Sequence, residues 1–385
     1  MKKPLWAIGA FAAICCGTGL VAWKALHETP KAPFGAIAVA KWKDNREAAL
    51  TFTFDDNGDK QFGRIFEAAL LEEHGFRGTF NVITGSWPIP EFQSIFRRGH
   101  ELASHTVNHV RLSTATLAMI TFELTESKKD IEQVTGFPCV TLCYPGGDLS
   151  PDAQKIASGL YLSARSARPG INDGDAAELY RLTVSPSPQY APTTPKEFWT
   201  DERYCGTLRQ CIEKALASGG WVIEEFHNMD CYTTSGLNSG ALVTQSAMQA
   251  HLGEIASSYA SRLWIAPQGK IARYIVEREA ATLTLHSWTV DSVEFTLDLK
   301  KHDSALDEPL TVLVSAPEAW RNGQVNAAQG RKSLPCRIET ENQGIRIVLD
   351  VDPGGGAIRL ALAPQASWFR GLLQAGLFGK SKASP

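Results

Sequence analysis

From about residue 36 to residue 281, short apolar runs alternate with stretches of helical spacing, and this alternation constrains the fold more than any other feature. Short apolar runs bounded by turn residues are typical of buried strands. The stretches between them repeat apolar residues every three or four positions and end at glycines such as Gly75, Gly136 and Gly219. Such alternation predicts a parallel sheet, because parallel strands are joined by crossover helices.

About seven strand-helix units favour a sheet closed as a barrel. A flat doubly wound sheet is the competing architecture, but the chain shows no glycine-rich dinucleotide fingerprint to support it. The strand candidates are 49–54, 79–83, 140–144, 160–164, 182–184, 221–226 and 263–265. The helix candidates are 62–70, 117–134, a short one from 150, 207–218, 246–259 and 270–279.

After residue 281 the pattern changes to apolar residues at every second position, as in Val293, Phe295 and Leu297. Period-two patterning without helices predicts strands, and we read a small antiparallel β-domain over residues 285–363. A packing or spacer role is the simplest function for it, and glycan binding is the alternative. The tail, 364–385, carries aromatic and basic residues and could form a weak amphipathic helix, dock or stay disordered.

The N-terminus reads as a targeting segment, because Lys2 and Lys3 precede an uncharged apolar run that ends before Lys24. Its length lies between a signal-peptide core and a transmembrane helix, so residues 1–26 are interpreted as a signal peptide or a signal anchor. Residues 27–35 form a proline-bearing linker. Positive charge before the run places the rest of the chain outside the cytoplasm, where it would be periplasmic, secreted or anchored to the membrane.

The composition excludes one class of partner and leaves the redox compartment open. A formal net charge of -3 over 385 residues gives no reason to expect a nucleic acid. Eight cysteines fit an oxidising compartment without demanding it. Cys205 and Cys211 are close enough in sequence to pair, and no C-x-x-C motif suggests a structural zinc.

His105 and His109 are four residues apart, directly after Glu101-Leu-Ala-Ser104, which resembles a strand end running into a turn. If His105 opens a helical turn, both imidazoles lie on one face and can bind one metal ion. A catalytic zinc takes three protein ligands and leaves one position to water, so a third ligand is needed elsewhere. By itself the pair is weak, because histidines at this spacing also arise by chance.

The best third ligand lies in Thr51-Phe-Thr-Phe-Asp55-Asp56, where a strand ends in two carboxylates. Adjacent strand residues point to opposite sides, so one carboxylate can bind a metal while the other faces substrate or water. Asp-Asp-Asn-Gly is also a good turn sequence, which is the alternative explanation. His227 likewise ends an apolar strand, at the same predicted rim, and could equally be an exposed strand-end histidine.

Four motifs in order resemble the polysaccharide deacetylase family, the NodB-homology domain of carbohydrate esterase family 4. They are Thr53-Phe-Asp-Asp56, His105-Thr-Val-Asn-His109, Tyr144-Pro-Gly-Gly147 and Phe226-His227. The resemblance covers roughly residues 36–281. It implies a distorted (β/α) barrel that removes N- or O-acetyl groups from glycans with a divalent metal.

The resemblance also implies roles for single residues. Asp55 matches the general base, and His227 matches the general acid. Asp56, His105 and His109 match the metal ligands. Tyr144 and Pro145 match the motif that meets the substrate, with the Tyr144 N–H as an oxyanion donor. The metal is expected to be Zn²⁺, with Co²⁺ or another divalent ion as alternatives.

Three positions depart from the family pattern. Asn57 stands where the family often has glycine. Cys143 stands where an arginine usually orients the base, and Arg165 or the nearby Arg168 could supply that charge. Asp173 or Asp175 could tune His227, although the fourth motif does not align clearly. These departures leave the choice of substrate open.

The main hypothesis is an extracytoplasmic, metal-dependent hydrolase acting on an N-acetylated polysaccharide or oligosaccharide. An esterase or amidase that uses the same site on another acylated substrate is the nearest alternative. A glycan-binding protein without turnover is the alternative from a different class. The expected partner is an acetylated glycan, with membrane anchoring through the N-terminal segment. The sequence does not specify the oligomeric state.

Overall fold

The computed structural model describes residues 36–58, 63–186, 201–227, 229–230, 243–300, 308–341 and 344–363. The targeting segment 1–26, the linker 27–35 and the tail 364–385 lie outside these residues, so the expectations for them stay predictions. Within the described ranges, none of the helices has both the length and the apolar character needed to cross a membrane.

The elements follow the predicted alternation and then change to strands alone. The strands are β1 (Ile37–Val39), β2 (Ala48–Asp55), β3 (Thr79–Val82), β4 (Glu101–Ser104), β5 (Thr141–Cys143), β6 (Ser163–Pro169), β7 (Leu182–Val184), β8 (Trp221–Phe226), β9 (Met229–Asp230), β10 (Val243–Thr244), β11 (Leu263–Ile265), β12 (Ala281–Trp288), β13 (Ser292–Leu299), β14 (Leu310–Ala316), β15 (Val325–Gln329), β16 (Lys332–Leu334), β17 (Cys336–Glu341), β18 (Gly344–Val351) and β19 (Ile358–Leu362). The α-helices are α1 (Gly63–Glu73), α2 (Ile89–Arg97), α3 (Leu117–Thr135), α4 (Pro151–Leu160), α5 (Asp201–Ser218), α6 (Gln245–Glu254) and α7 (Gln268–Ala280).

Strands β2 to β8 form a nearly closed parallel barrel, which confirms the predicted fold class. β2 to β7 are neighbours in chain order, and β8 returns to pair with the other side of β2 along most of that strand. The remaining gap is bridged where the Ser185 N–H, just after β7, donates to the Ile223 carbonyl of β8 at 2.7 Å. A flat doubly wound sheet is therefore wrong, because its first strand would not meet the last.

The inward-facing side of β2 is polar toward the rim, and a large apolar core lies between the barrel and its helices. Along β2, Phe52 and Phe54 belong to the outer core with α1, α5 and α6. Thr51 and Thr53, which alternate with these phenylalanines, are buried on the opposite side of the strand. Each hydroxyl donates to the carbonyl of a residue outside β2. Asp55 continues this inward series, so the strand period of two sends a carboxylate into the barrel.

The predicted antiparallel β-domain is present as two sheets. Their strand orders are β1-β14-β18-β17 and β12-β13-β19-β15-β16. Two boundaries differ from the predicted 36–281 and 285–363. β12 begins at Ala281, directly after α7, and Ile37 of β1 pairs with Val314 of β14. Residues 37–39 thus belong to the β-domain, because an antiparallel ladder with β14 satisfies their backbone.

The suggested pairing of Cys205 with Cys211 is wrong. No disulfide joins the two, and the Cys205 thiol instead lies 3.8 Å from the Ala247 carbonyl. Cys205 and Cys211 lie on α5, where six residues correspond to about one and two-thirds turns, so their side chains leave the helix on different faces.

Trp42 fixes the end of the barrel that faces the β-domain. Its side chain is fully buried, and its indole N–H donates to the Gly219 carbonyl at 3.0 Å. Its ring lies 6.4 Å from that of Trp264, centroid to centroid. Gly174, at a φ of 79°, passes so close that a Cβ would come within 2.4 Å of the Trp42 ring. Trp42 therefore has no room to move, and its loss would leave a cavity.

We expect Trp42→Ala to destabilise the protein by about 3–5 kcal/mol, because the truncation removes a large buried ring and one hydrogen bond. Urea unfolding followed by tryptophan fluorescence and circular dichroism measures the change. Val290→Ala, at a position that is 74% exposed, is the control and should change stability by less than about 0.5 kcal/mol. Equal unfolding midpoints for the two variants would contradict this account of the junction.

Candidate functional site

Asp56, His105 and His109 converge at the rim where the barrel strands end. The Asp56 Oδ1 lies 3.5 Å from His105 Nε2 and 3.7 Å from His109 Nε2. The three candidate ligand atoms lie within 4.8 Å of one another. One carboxylate oxygen and two imidazole nitrogens form a donor set that suits zinc and leaves a position open. The residues present therefore fit a divalent metal.

The histidine pair meets through a loop and not through a helical turn, which corrects the geometry expected from its spacing. Residues 105–110 form an irregular loop after β4, with Thr106 at a φ of 65° and His109 at 55°. The imidazole centroids are 4.7 Å apart. Asp56 also has a positive φ, 66°. Non-glycine residues in this region cost roughly 1–3 kcal/mol each, and such strain often marks functional sites.

His105 is held in the form that a metal ligand requires. Its Nδ1 contacts the Cys143 carbonyl at 2.9 Å, and because a carbonyl only accepts, Nδ1 carries the proton and Nε2 faces Asp56 with its lone pair. Burial lowers the pKa of His105 to about 4, although the charges of Asp55 and Asp56 oppose this shift. The imidazole is therefore neutral near pH 7.

Asp55 is buried one residue before the metal-ligand candidate Asp56 and is held by three side chains. Asn81 Nδ2 donates to its Oδ1 at 2.8 Å, and the Arg165 guanidinium contacts the same oxygen. The Cys143 thiol lies 3.5 Å from Oδ2. Burial alone would raise the pKa of Asp55, but the neighbouring charges, Arg165 foremost, hold it well below its usual value. Asp55 is therefore an ionised carboxylate inside the barrel.

His227 lies on the other side of Asp55, after β8, and its nearest carboxylate is Glu225. The His227 Nδ1 is 3.9 Å from Glu225 Oε1, and the same Glu225 oxygen is 3.8 Å from Arg165 Nη1. Burial lowers the pKa of His227, and the charges of Asp55 and Asp56 act in the opposite direction.

The suggestion that Asp173 or Asp175 tunes His227 is wrong. Both carboxylates are exposed, and Gly174 between them packs against Trp42 at the far end of the barrel. Glu225 is the carboxylate that lies beside His227. Two adjacent charged residues inside the otherwise apolar strand Trp221-Val-Ile-Glu-Glu-Phe226 are the sequence signal that could have indicated Glu225. Asn81 could have been indicated in the same way, because it is a polar residue inside the buried strand β3.

The Tyr144 N–H does not point to an oxyanion site, contrary to the expectation from the third motif. It donates to the Arg165 carbonyl at 3.0 Å, as part of the ladder between β5 and β6. Pro145 is buried directly after it and has no N–H to offer. Asn57, in place of the usual glycine, uses its side-chain amide to bond both backbone groups of Ile83, at 2.9 and 3.1 Å.

The site predicted from sequence is thus brought together with one exception. Asp55, Asp56, His105, His109 and His227 share the rim, and Arg165 reaches Asp55 from β6, whereas the Tyr144 N–H is engaged elsewhere. Cys143, the unusual residue of the third motif, touches Asp55 with its thiol and His105 with its carbonyl.

Comparison with known proteins extends this description. A gellan lyase from a Bacillus species is 26% identical over 325 residues, which is 82% of this chain but only 13% of the lyase. A putative polysaccharide deacetylase from Mycobacterium smegmatis aligns over 62% of this chain and 93% of its own, at 20% identity and a TM-score of 0.46. A probable polysaccharide deacetylase from Pseudomonas aeruginosa aligns over 63% and 94%, at 14% identity and a TM-score of 0.46.

The sequence model of one family, described as polysaccharide deacetylase, matches residues 43–164. The matched segment contains Asp55, Asp56, His105, His109 and the Tyr144-Pro145 motif, and it ends just before Arg165. Residues 43–164 of this chain, about a third of its length, therefore match the sequence pattern of the polysaccharide deacetylase family.

Proposed function

We propose that this chain is a metal-dependent hydrolase that removes acetyl groups from an N-acetylated polysaccharide or oligosaccharide. The observation that carries the proposal is the ionised, buried carboxylate of Asp55 directly beside the ligand set of Asp56, His105 and His109. Hydrolysis of an amide needs a group that accepts the proton of water and a group that polarises the carbonyl. Both needs are met within one rim of the barrel.

Asp56, His105 and His109 would hold the metal, for which zinc is the first choice. A bound divalent ion of this kind supplies Lewis acidity toward an acyl oxygen and lowers the pKa of water. The chain prepares His105 as a ligand. Burial keeps its imidazole neutral, and its Nδ1–H donates to the Cys143 carbonyl, so that Nε2 faces the site.

Asp55 acts as the general base. Asn81 and Arg165 occupy its Oδ1, whereas among the described residues its Oδ2 has only the weak thiol donor of Cys143. Oδ2 is therefore the atom that accepts the proton of the attacking water. The carboxylate stays ionised at neutral pH because the guanidinium beside it disfavours protonation.

His227 delivers a proton to the departing nitrogen of the sugar, because an amine anion is too basic to leave unassisted. Its ring nitrogen lies within 4.8 Å of both the Asp55 and the Glu225 carboxylates. Burial lowers the pKa of His227, whereas the charges of Asp55 and Asp56 favour the protonated ring; the Glu225 carboxylate lies 3.9 Å from His227 Nδ1. The location proposed for the reaction is outside the cytoplasm, which rests on the N-terminal segment alone.

Acetate release from N-acetylglucosamine oligomers and from acetylated cell-wall glycan tests the reaction. We expect turnover by the wild-type chain with added zinc, and a loss of about 10²–10⁴-fold in kcat for Asp55→Asn, which keeps the shape but removes the base. Asp152→Asn, an exposed position on α4, is the matched control and should keep full activity. Release of no acetate from any glycan by a metal-loaded wild type would refute the proposal.

Removal of the metal is a second test. Dialysis against a strong chelator should abolish acetate release, and about one equivalent of zinc or cobalt per chain should restore it, since a single ligand set is proposed. Elemental analysis measures the metal, and His109→Gln should retain less of it than wild type. Full activity in a sample with metal far below one equivalent would contradict metal dependence.

The pH profile tests the role of Arg165. The guanidinium lowers the pKa of Asp55, so its removal in Arg165→Gln leaves burial to raise that pKa. The acidic limb of kcat/KM against pH should then move to higher pH by about one unit or more. Arg168→Gln, exposed on the same strand, is the control and should leave the limb in place. Superimposable limbs for wild type and Arg165→Gln, with melting temperatures confirming folding, would exclude this role.

A further inference from the structure

Arg64 lies behind the turn that carries the two aspartates. It is the second residue of α1, and its side chain is fully buried. The Arg64 Nη2 donates to the Asp55 carbonyl, and Nε approaches the Asp56 carbonyl at 3.4 Å. Its Nη1 donates to Glu67 Oε2 at 2.6 Å, within α1. The planar fork of the guanidinium thus contacts two consecutive carbonyls of the turn and is itself oriented by Glu67.

Glu123 lies behind the second loop, which carries the two histidines. It belongs to α3 and is also fully buried. Its Oε2 accepts from the Asn108 backbone N–H at 2.8 Å, and its Oε1 accepts from the Asn108 side-chain amide at 2.8 Å. Asn108 directly precedes His109, so the Glu123 carboxylate binds the loop one residue away from a metal-ligand candidate.

The two arrangements are alike in physical terms. Each places a charged side chain out of water, which is costly, and bonds it to groups of one ligand-bearing loop; Arg64 is also paired with Glu67 of α1. Each of those loops contains a ligand in left-handed backbone, Asp56 at a φ of 66° and His109 at 55°. A residue in that region persists only when its surroundings hold it there. The bonds of Arg64 and Glu123 described above reach the backbone of each loop and not the candidate ligand atoms, so both side chains act through the backbone.

We propose that Arg64 and Glu123 are positioning residues, which hold the Asp56 turn and the His109 loop in the conformation that binds the metal. The inference rests on the proposed function, because it takes Asp56, His105 and His109 as the ligand set. In this inference, the two charges are buried because they shape the metal site, and not because they stabilise the barrel. Arg64 and Glu123 accordingly affect metal affinity more than they affect folding.

The test is zinc affinity, measured by competition with a chromophoric chelator on purified full-length chains without added substrate. We expect Arg64→Gln and Glu123→Gln each to raise the zinc Kd about 10–100-fold, as removal of groups that orient metal ligands does. Asn108→Ala removes one of the two bonds to Glu123 from the exposed side of the loop, and it should raise Kd less than Glu123→Gln.

Two matched controls lie nearby. Arg98→Gln loses the partly exposed contact of Arg98 with Glu72, at 2.7 Å, and Glu126→Gln loses the exposed contact with Lys129 on α3, at 3.1 Å. Both should keep the wild-type Kd within about 2-fold, since exposed ion pairs contribute little. Melting temperatures of the metal-free proteins measure the purely structural effect of each change.

The outcomes separate this inference from the proposed function. Zinc bound with wild-type Kd by Arg64→Gln, Glu123→Gln and Asn108→Ala would overturn the positioning role and leave the proposed hydrolase intact. The positioning role is equally overturned if the two buried variants are metal-free and unfolded while Asn108→Ala binds zinc as wild type does. A wild-type chain that binds no zinc would overturn both. Weakened binding by variants whose metal-free melting temperatures match the controls supports the inference.

Discussion

The contact between the Arg165 guanidinium and the Asp55 carboxylate is the constraint on which the rest of the site depends. It crosses the inside of the barrel, from β6 to β2, and both side chains are buried. In a low-dielectric interior neither charge is tolerable alone, and removing one partner of such a pair typically costs about 3–5 kcal/mol. The pair therefore fixes the distance across the barrel and, with it, the place of Asp55 relative to Asp56, His105 and His109.

Buried polar groups surround this pair inside the barrel, among them Thr53, Asn81 and Glu225. At the opposite end, the half-buried carboxylate of Glu101 accepts hydrogen bonds from the Thr79 and Thr141 hydroxyls at 2.7 Å each, and from the Gly269 N–H at 2.9 Å. Burial raises the pKa of Glu101, and these bonds oppose the rise. Much of the apolar packing lies in the layer between the strands and the helices. Ionised groups inside the barrel therefore do not interrupt that hydrophobic core.

The fold was largely predictable from sequence because strand and helix periods are local signals. Alternating runs indicated the barrel, and the spacing and order of Asp55, Asp56, His105, His109 and His227 indicated the set that the rim brings together. Features that arise between distant segments were not predictable in the same way. Glu225 replaces Asp173 or Asp175 beside His227, and the N–H of Tyr144 is bound by the neighbouring strand, since both depend on strand pairing that no local pattern encodes.

The pairing of β1 with β14 joins the beginning of the described chain to a sheet near its end. During synthesis, residues 37–39 emerge before the barrel, yet their partner strand is made only after the barrel is complete. Closing such a long loop is slow, because its entropic cost precedes the gain from contacts. β14 pairs with β18 on its other side, so β1 covers the edge of β14 that would otherwise be open to pairing with another chain. Three residues made first thus protect an edge of a sheet made last.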